Sequence, residues 1–443
     1  MRNLRLGLYF TIAALAGGRL YAAAGDVGLE KNQSITTDES TKRPNDWAFF
    51  SFETSQIKKR DDYFAAADAR FLMDGGKLAY SVPELYFSHT NENFKASAGR
   101  KIVAWNSNEE FWGLGQINSN QGLGLLESKQ EGLAGVHFNS HYVDLFWSPL
   151  FVPAMNPGIE VKEGAVVSNA PWVKLPPKKT VLKGQEVDIY YNLNRPKTSK
   201  IISQHSIGGR LGPTWKSGSF KAMAMYKPEN QLRVNANAYY DAKIEKIMVE
   251  ANPSVNHHSL YGLDLEQKIA GVNFNLGHMI EDPNSELDQL LNFTNPANAN
   301  YKQQRGTFDS EYFNINPNYR RNAYWHAGSL YRAPIYQIGF NYIHYVDGAN
   351  NNGDDFYSST NPWQRAVGML AGYDFTDRTN LMLNYRYDFM RKDRILKTEL
   401  GHSMLKSFRV GLGLELIASP MRESFWSDYK SQDVVYSNFS YLF

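Results

Sequence analysis

Asp433–Phe443, DVVYSNFSYLF, decides the fold. Val435, Ser437, Phe439, Tyr441 and Phe443 fall on one face of an extended chain, and Val434, Tyr436, Asn438, Ser440 and Leu442 fall on the other. A period of two is the strand signal. The aromatic face runs to the last residue with no polar tail behind it. In a soluble sheet such an end is an adhesive liability. On a closing strand in lipid the same rings sit at the interface, where they are stabilised.

The alternation recurs upstream. In Asn380–Met390, Leu381, Leu383, Tyr385, Tyr387 and Phe389 oppose Met382, Asn384, Arg386 and Asp388. In Ser407–Leu416, Phe408, Val410, Leu412, Leu414 and Leu416 oppose Ser407, Arg409, Gly411, Gly413 and Glu415. A soluble sheet packed on a core alternates in the same way, so the number of strands is what discriminates. The pattern predicts roughly 16 to 18 strands with little helix. The expectation is an all-β chain: a transmembrane antiparallel β-barrel with long loops or a plug in its lumen. No helical membrane protein has this polar balance, with 42% hydrophobic residues and 21% charged. Aromatic residues make up 14%, which suits interfacial girdles. Zero cysteines exclude disulfides and thiolate metal sites.

Residues 1–24 read as a secretory leader: a basic start at MRNLR, an apolar Leu6–Gly18, and an A-x-A site at Ala22–Ala24. Removing Arg2, Arg5 and Arg19 takes the formal charge from +2 to −1. That balance gives no argument for nucleic-acid binding. After Ala24 no apolar run is long enough for a membrane helix, so a spanning chain must be a closed barrel. Residues 25–45 read as an irregular periplasmic tail, and 46–443 as the barrel in the outer membrane of a Gram-negative cell.

The strands expected first form a meander: Trp47–Gln56, Tyr63–Met73, Lys77–Ser88 and Phe94–Trp105. Pro83 inside the third marks a bulge. Next come Glu131–Ser140 and Tyr142–Leu150. Later come ISQHSIGGRLG, GSFKAMAMYK and LRVNANAYYDA, the last two joined by PENQ, then KIEKIMVEA, SLYGLDLEQKI and GVNFNLGHMI. NAYWHAGSLYRA, IYQIGFNYIHYV, QRAVGMLAGYDF and NLMLNYRYDFM follow. Long insertions interrupt near 106–130, 151–200 and 281–321. The first reads as a loop with a short turn or helix. The second, rich in proline, is the expected constriction.

By parity the residues expected to line the lumen are Arg70, Glu84, Arg100, Asp264, Glu266, Lys268, Arg332, Arg386, Asp388, Arg409 and Glu415. Lys77 and Glu84 have opposite parity, so both face inward only across a bulge at Pro83. The mixture of signs implies a hydrated pore with a transverse field rather than strong selectivity for one sign. The bland reading is that these side chains pair across the lumen and stiffen the wall.

Ala98–Trp105, AGRKIVAW, with EGLAGVHF and YVDLFWSPLFVP after it, resembles porin-like outer-membrane barrels of the alginate-export-like and phosphate-selective-porin-like kinds. In those families the arginine at the place of Arg100 lines the channel. Lys101 and Asn106 stand where glutamine and glycine are common there. The ending at Phe439, Tyr441 and Phe443 resembles the signal read by the barrel-assembly machinery. The resemblance carries over a porin-like barrel and no substrate. The wall, the mixed lumen charges and the inserted loops together give the expectation: diffusion of small polar or charged solutes through outer-membrane lipid, without a chemical step or a cofactor, with a homo-oligomer among the partners to test. The rivals are a plugged barrel with a binding or structural role, and a transporter of hydrophobic substrates. Asn295-Pro296-Ala297 is too far from the N-terminus to be the hatch motif of fatty-acid transporters.

Other chemistry has little support. His257 and His258 are neighbours on a strand and point to opposite faces, a poor geometry for one metal. His278, His326 and His344 each stand alone, and no zinc motif or nucleophile elbow is present. The acidic loop DGANNNGDD lacks the spacing of a calcium loop.

Overall fold

The computed structural model describes residues 23–34, 47–57, 63–72, 77–106, 108–122, 128–153, 159–168, 175–182, 184–230, 232–241, 243–283, 312–315, 321–347, 361–405, 407–421, 424–429 and 433–442. Most of their strands form one large antiparallel sheet of nineteen strands. Among the described residues no helix is long and apolar enough to cross a membrane.

Eighteen of the nineteen strands follow one another in chain order. They are β1 (Ala23–Ser34), β2 (Trp47–Ile57), β3 (Tyr63–Leu72), β4 (Lys77–Thr90), β5 (Phe94–Lys101) and β6 (Leu133–Ser140). Then come β7 (Val143–Ser148), β8 (Ser206–Leu211), β9 (Gly218–Pro228), β10 (His257–Ile269), β11 (Val272–Pro283) and β12 (Asn322–Arg332). The last are β13 (Tyr336–Asp347), β14 (Arg365–Thr376), β15 (Thr379–Asp388), β16 (Arg394–Leu405), β17 (Phe408–Ala418) and β18 (Val434–Leu442). Each pairs with the next, and β18 pairs with β1, from Asp26↔Leu442 to Ser34↔Val434. The nineteenth, Thr214–Trp215, pairs only with β9.

The connections are unequal in a regular way. Those leaving β2, β4, β6, β8, β10, β12, β14 and β16 are short, as at Ile269–Val272 and Thr376–Thr379. The long ones all leave odd-numbered strands, so they gather at one end, with both described chain ends at the other. Three of them share a second, five-stranded sheet. Lys179–Leu182 and Gln185–Leu193 lie in the first, Arg233–Asp241 and Lys246–Ser254 in the second, and Tyr312–Ile315 in the third. Its small core is Tyr191, Ala238, Ile247 and Val249.

Several expectations are corrected. The irregular tail is a strand over Ala23–Ser34; its polar residues hide a short alternation. Arg394–Leu405 is a wall strand that the sequence reading passed over. LRVNANAYYDA and KIEKIMVEA pair with each other, but outside the ring. GSFKAMAMYK takes SLYGLDLEQKI as its partner instead. The bulge at Pro83 is present: Ala66 pairs with Glu84 and Asp68 with Ser81, which leaves an extra residue on β4.

Candidate functional site

The chain leaves β5 at Lys101 and returns to the wall at Leu133. Between them, the described residues of the 102–132 segment pack against one face of the sheet, the inner face. The main core joins Val103, Trp105, Trp112 and Ile117 of this segment to Met223, Met225, Leu260, Met279, Tyr324, Ile343, Tyr345, Trp363 and Ala366. In GSFKAMAMYK, for example, Lys221, Met223, Met225 and Lys227 are inner and buried, and Phe220 is exposed on the outer face.

Both stems of the segment are tied down. On one, the Ile102 amide donates to Glu84 Oε1 at 2.9 Å. On the other, Arg100 donates to Glu131 Oε2 and to the Gly132 carbonyl, both at 2.9 Å. Between the stems lies a short helix, α1 (Glu109–Trp112), stopped by Gly113 at φ 62. That left-handed geometry is easy for glycine and costly for other residues.

Side chains on the wall grip the segment at many points. Asn106 donates to Tyr324 Oη at 2.8 Å, and Tyr324 donates to Gln116 Oε1 at 2.8 Å. Gln116 in turn donates to Glu281 Oε2 at 2.9 Å, and His258 Nδ1 lies 2.6 Å from Glu281 Oε1. The Asn108 side-chain Nδ2 donates to Asn275 Oδ1 at 2.7 Å and lies 2.6 Å from His326 Nδ1. Lys227 is wholly buried, and its ammonium donates to the Pro228 and Gln116 carbonyls and to Asn230 Oδ1. A buried cation with three acceptors and carboxylates nearby is tolerable; one without them is not.

Glu109 is a buried acid of the segment. Its carboxylate accepts from the Ile117 amide at 2.6 Å and the Asn118 amide at 3.2 Å. Burial pushes its pKa up to about 7, against the pull of those amides and of Lys227. Desolvation disfavours the charged form, and here it outweighs the hydrogen bonds.

The residues singled out by parity divide into several groups. Arg386 is inner but covered, its guanidinium 5.0 Å from the Phe111 ring and 5.8 Å from the Trp363 ring. Glu84 and Arg100 hold the stems, so Arg100 serves the segment rather than standing open on the wall. Asp388 is corrected: it is fully buried and accepts from the amides of Gln364, Met390 and Arg391, so it shapes the turn after β15 and lines nothing. Asp264, Glu266, Lys268 and Arg332 share the inner parity of β10 and β12, and the last three are exposed near the short-connection end. Asp264 Oδ2 is 4.0 Å from His326 Nε2.

Arg409 and Glu415 belong to a network on β15–β18. Lys397 pairs with Glu415 at 2.8 Å, and Arg409 lies 3.7 Å from Glu399, which also accepts from Tyr436 Oη at 3.0 Å. The Arg409 side chain is 41% exposed. On β7–β9 a second charged patch holds Arg210 against Asp144 at 2.8 Å, with Lys221 close by. β8 and β17 stand nine strands apart in a ring of eighteen. The side chain of Arg70 lies outside the described residues, as does Phe443; Phe439 and Tyr441 are exposed, and both rings pack at a tilt against Phe408.

Asp144, Arg210, Lys221, Lys227, Lys397 and Glu399 were absent from the residues expected on this face. Extending the parity count into YVDLFWSPL, ISQHSIGGRLG and GSFKAMAMYK finds the first four. The polar residues of Asn106–Asn118 carry no such signal, because their roles depend on strands far away in the chain. No described residue of 151–200, the expected constriction, belongs to the main core. The described strands of that stretch lie in the second sheet and in the hairpin Ile159–Lys162 with Ala165–Ser168. His257 and His258 take opposite sides: His258 bonds Glu281, and His257 stacks on Tyr226. Among the described residues no cluster of three metal-ligating side chains occurs.

No family model matches the chain, and no curated protein matches it. Solved structures do. The Pseudomonas aeruginosa OccK2 (OpdF) structure in complex with glucuronate is similar at TM-score 0.48 and 10% identity, over 95% of this chain and 97% of that one. A BenF-like porin from Pseudomonas fluorescens Pf-5 is similar at TM-score 0.45 and 8% identity, over 95% and 97%. A mutant of the Rh. blastica porin is similar at TM-score 0.41 and 8% identity, over 95% and 99%. Likeness at this level assigns no family.

Proposed function

We propose that the ring is the wall of an outer-membrane barrel and that the protein is a porin-like channel for small polar or charged solutes. One observation carries this reading: the molecule is inverted relative to a soluble sheet protein. Leu85, Phe87, Val136, Tyr261, Leu263, Leu276, Phe340, Leu412 and Phe439 are exposed on the outer face, while Lys227, His258 and His326 are buried on the inner one. Water strips apolar surface from an exterior and lipid does not. Eighteen strands leave room for an aqueous interior. Short connections at one end and long ones at the other fit periplasmic turns and extracellular loops.

In this reading Ile102–Gly132 narrows the channel, and the two charged patches on either side of it meet the solute. The leader ends at Ala22–Ala24, and the β18 rings at Phe439 and Tyr441 are offered to the assembly machinery and then to lipid.

Conductance across a planar bilayer tests the channel. The expected result is stepwise current from the refolded chain, and a larger step when 106–130 is shortened. An inserted, folded protein that carries no current would overturn it in favour of a plugged barrel. Shortening 151–200 is expected to leave the step nearly unchanged.

A further inference from the structure

Two arginines stand on the outer face where β14 and β16 reach the long-connection end, and a lysine is exposed in the turn between β15 and β16. Arg365 opens β14, Arg394 opens β16 and Lys392 lies in the turn between β15 and β16; all three are exposed. Arg365 alternates with the buried Ala366, and Arg394 with the buried Ile395, so both side chains fall on the outer face. Arg394 pairs with Tyr387 across the ladder, and its guanidinium lies 5.8 Å from that ring. Phe389 donates its amide to the Arg365 carbonyl at 2.8 Å and packs edge-on against Tyr387. Phe389 and Met390 are themselves exposed.

The carboxylates of the same turn are turned inward. Asp388 is occupied by the amides of Gln364, Met390 and Arg391. Asp393 is buried and accepts from Ser419 and Ser424. Among the described residues, then, neither acid of this turn offsets the three exposed cations. A positive patch with exposed rings beside it fits an amphiphile with an anionic head. Arginine favours phosphate in particular, because its planar fork makes paired hydrogen bonds.

The spacing narrows the head. Arg365 lies level with Phe389 and Arg394 with Tyr387, two residues apart along the ladder and two strands apart across it. From strand geometry that places the two backbones about 12 Å apart, within reach of two phosphates on one head. We propose that Arg365, Lys392 and Arg394 bind a bisphosphorylated lipid of the outer leaflet, with its chains lying along Tyr387, Phe389 and Met390. The proposal rests on the reading that the outer face meets lipid.

The test compares the refolded chain with the triple variant Arg365→Gln, Lys392→Gln, Arg394→Gln in zwitterionic micelles. Native mass spectrometry counts bound lipid A and its dephosphorylated counterpart, with and without excess inorganic phosphate, and bilayer conductance is recorded alongside. The expected result is a preference for the bisphosphorylated form that weakens roughly five-fold for each cation removed and on the order of a hundred-fold in the triple variant, with conductance unchanged. Equal binding of the two lipids, undiminished binding by the variant, or ready displacement by inorganic phosphate would each overturn the site. A conducting protein with no lipid preference sinks this proposal alone; a chain that never enters a bilayer sinks the channel with it.

Discussion

Trp363 donates its indole N–H to the main-chain carbonyl of Trp112 at 3.0 Å, and the two rings meet edge-on with centroids 5.3 Å apart. One lies just before β14 and the other ends α1. Residues some 250 positions apart in the chain therefore fix the inserted segment to the wall, and the predictions below depend on that docking.

Gly368 lies beneath this contact. A Cβ there would come within 2.4 Å of the Phe111 ring and 3.4 Å of Trp112. Gly368→Ala is expected to lift Phe111 from the wall at an overpacking cost of about 1–3 kcal/mol. Single-channel recording should find more current noise and more frequent brief openings than in the unmodified chain. A quiet, unchanged trace would mean that the segment does not control the current.

Glu109 gives the docking a pH dependence with a definite sign. Its pKa rises from an ordinary 4.5 to about 7 on burial. Between those values the docked state holds more protons than the undocked one, so docking weakens as pH rises through that window. The full loss is on the order of 3 kcal/mol. Protease nicking of the 102–132 segment should accelerate between about pH 5 and pH 8, and Glu109→Gln should flatten the profile. A variant that keeps the wild-type slope would move the dependence to another group.

Arg409 is the more open cation of its network, while Glu415 is held by Lys397 at 2.8 Å. Arg409→Gln should move the zero-current potential in a salt gradient toward cation preference. Glu415→Gln should move it the other way and by less, because Lys397 already offsets that charge. Shifts of equal size would indicate that both groups face the solute alike.

Leu412 is 57% exposed in the middle of β17. If lipid covers it, Leu412→Arg costs about 2–4 kcal/mol, readable as a lower midpoint in urea unfolding from vesicles. In water the same change at an exposed site stays within about 0.5 kcal/mol. A null result would place the outer face in solvent.

The wall was largely legible in the chain. β18 alternates from Val434 to Phe439, and β17 about Leu412, as the period predicts; β15 shows no such contrast, since its residues from Thr379 to Tyr387 are all half-buried. β16 was missed: Lys397, Glu399 and His402 crowd it with charge, and their pairing with Glu415 and Arg409 is visible only across strands. The Arg233–Asp241 and Lys246–Ser254 hairpin alternates as well as any wall strand, yet it lies in the second sheet. Period two reports that one face is covered, not what covers it.

The sequence by itself determined the all-β class, the reach of most strands and the split of each into an apolar and a polar face. These are local properties, set by side chains two residues apart. The tertiary structure alone decided which insertion packs on the inner face, how Glu109 and Lys227 come to be buried close together, and why Asp388 serves a turn instead of a pore. The first two outcomes rest on contacts between residues a hundred or more positions apart, and the third on where the turn places the amides of Gln364, Met390 and Arg391; desolvation and pairing arise only once the strands have brought such groups together.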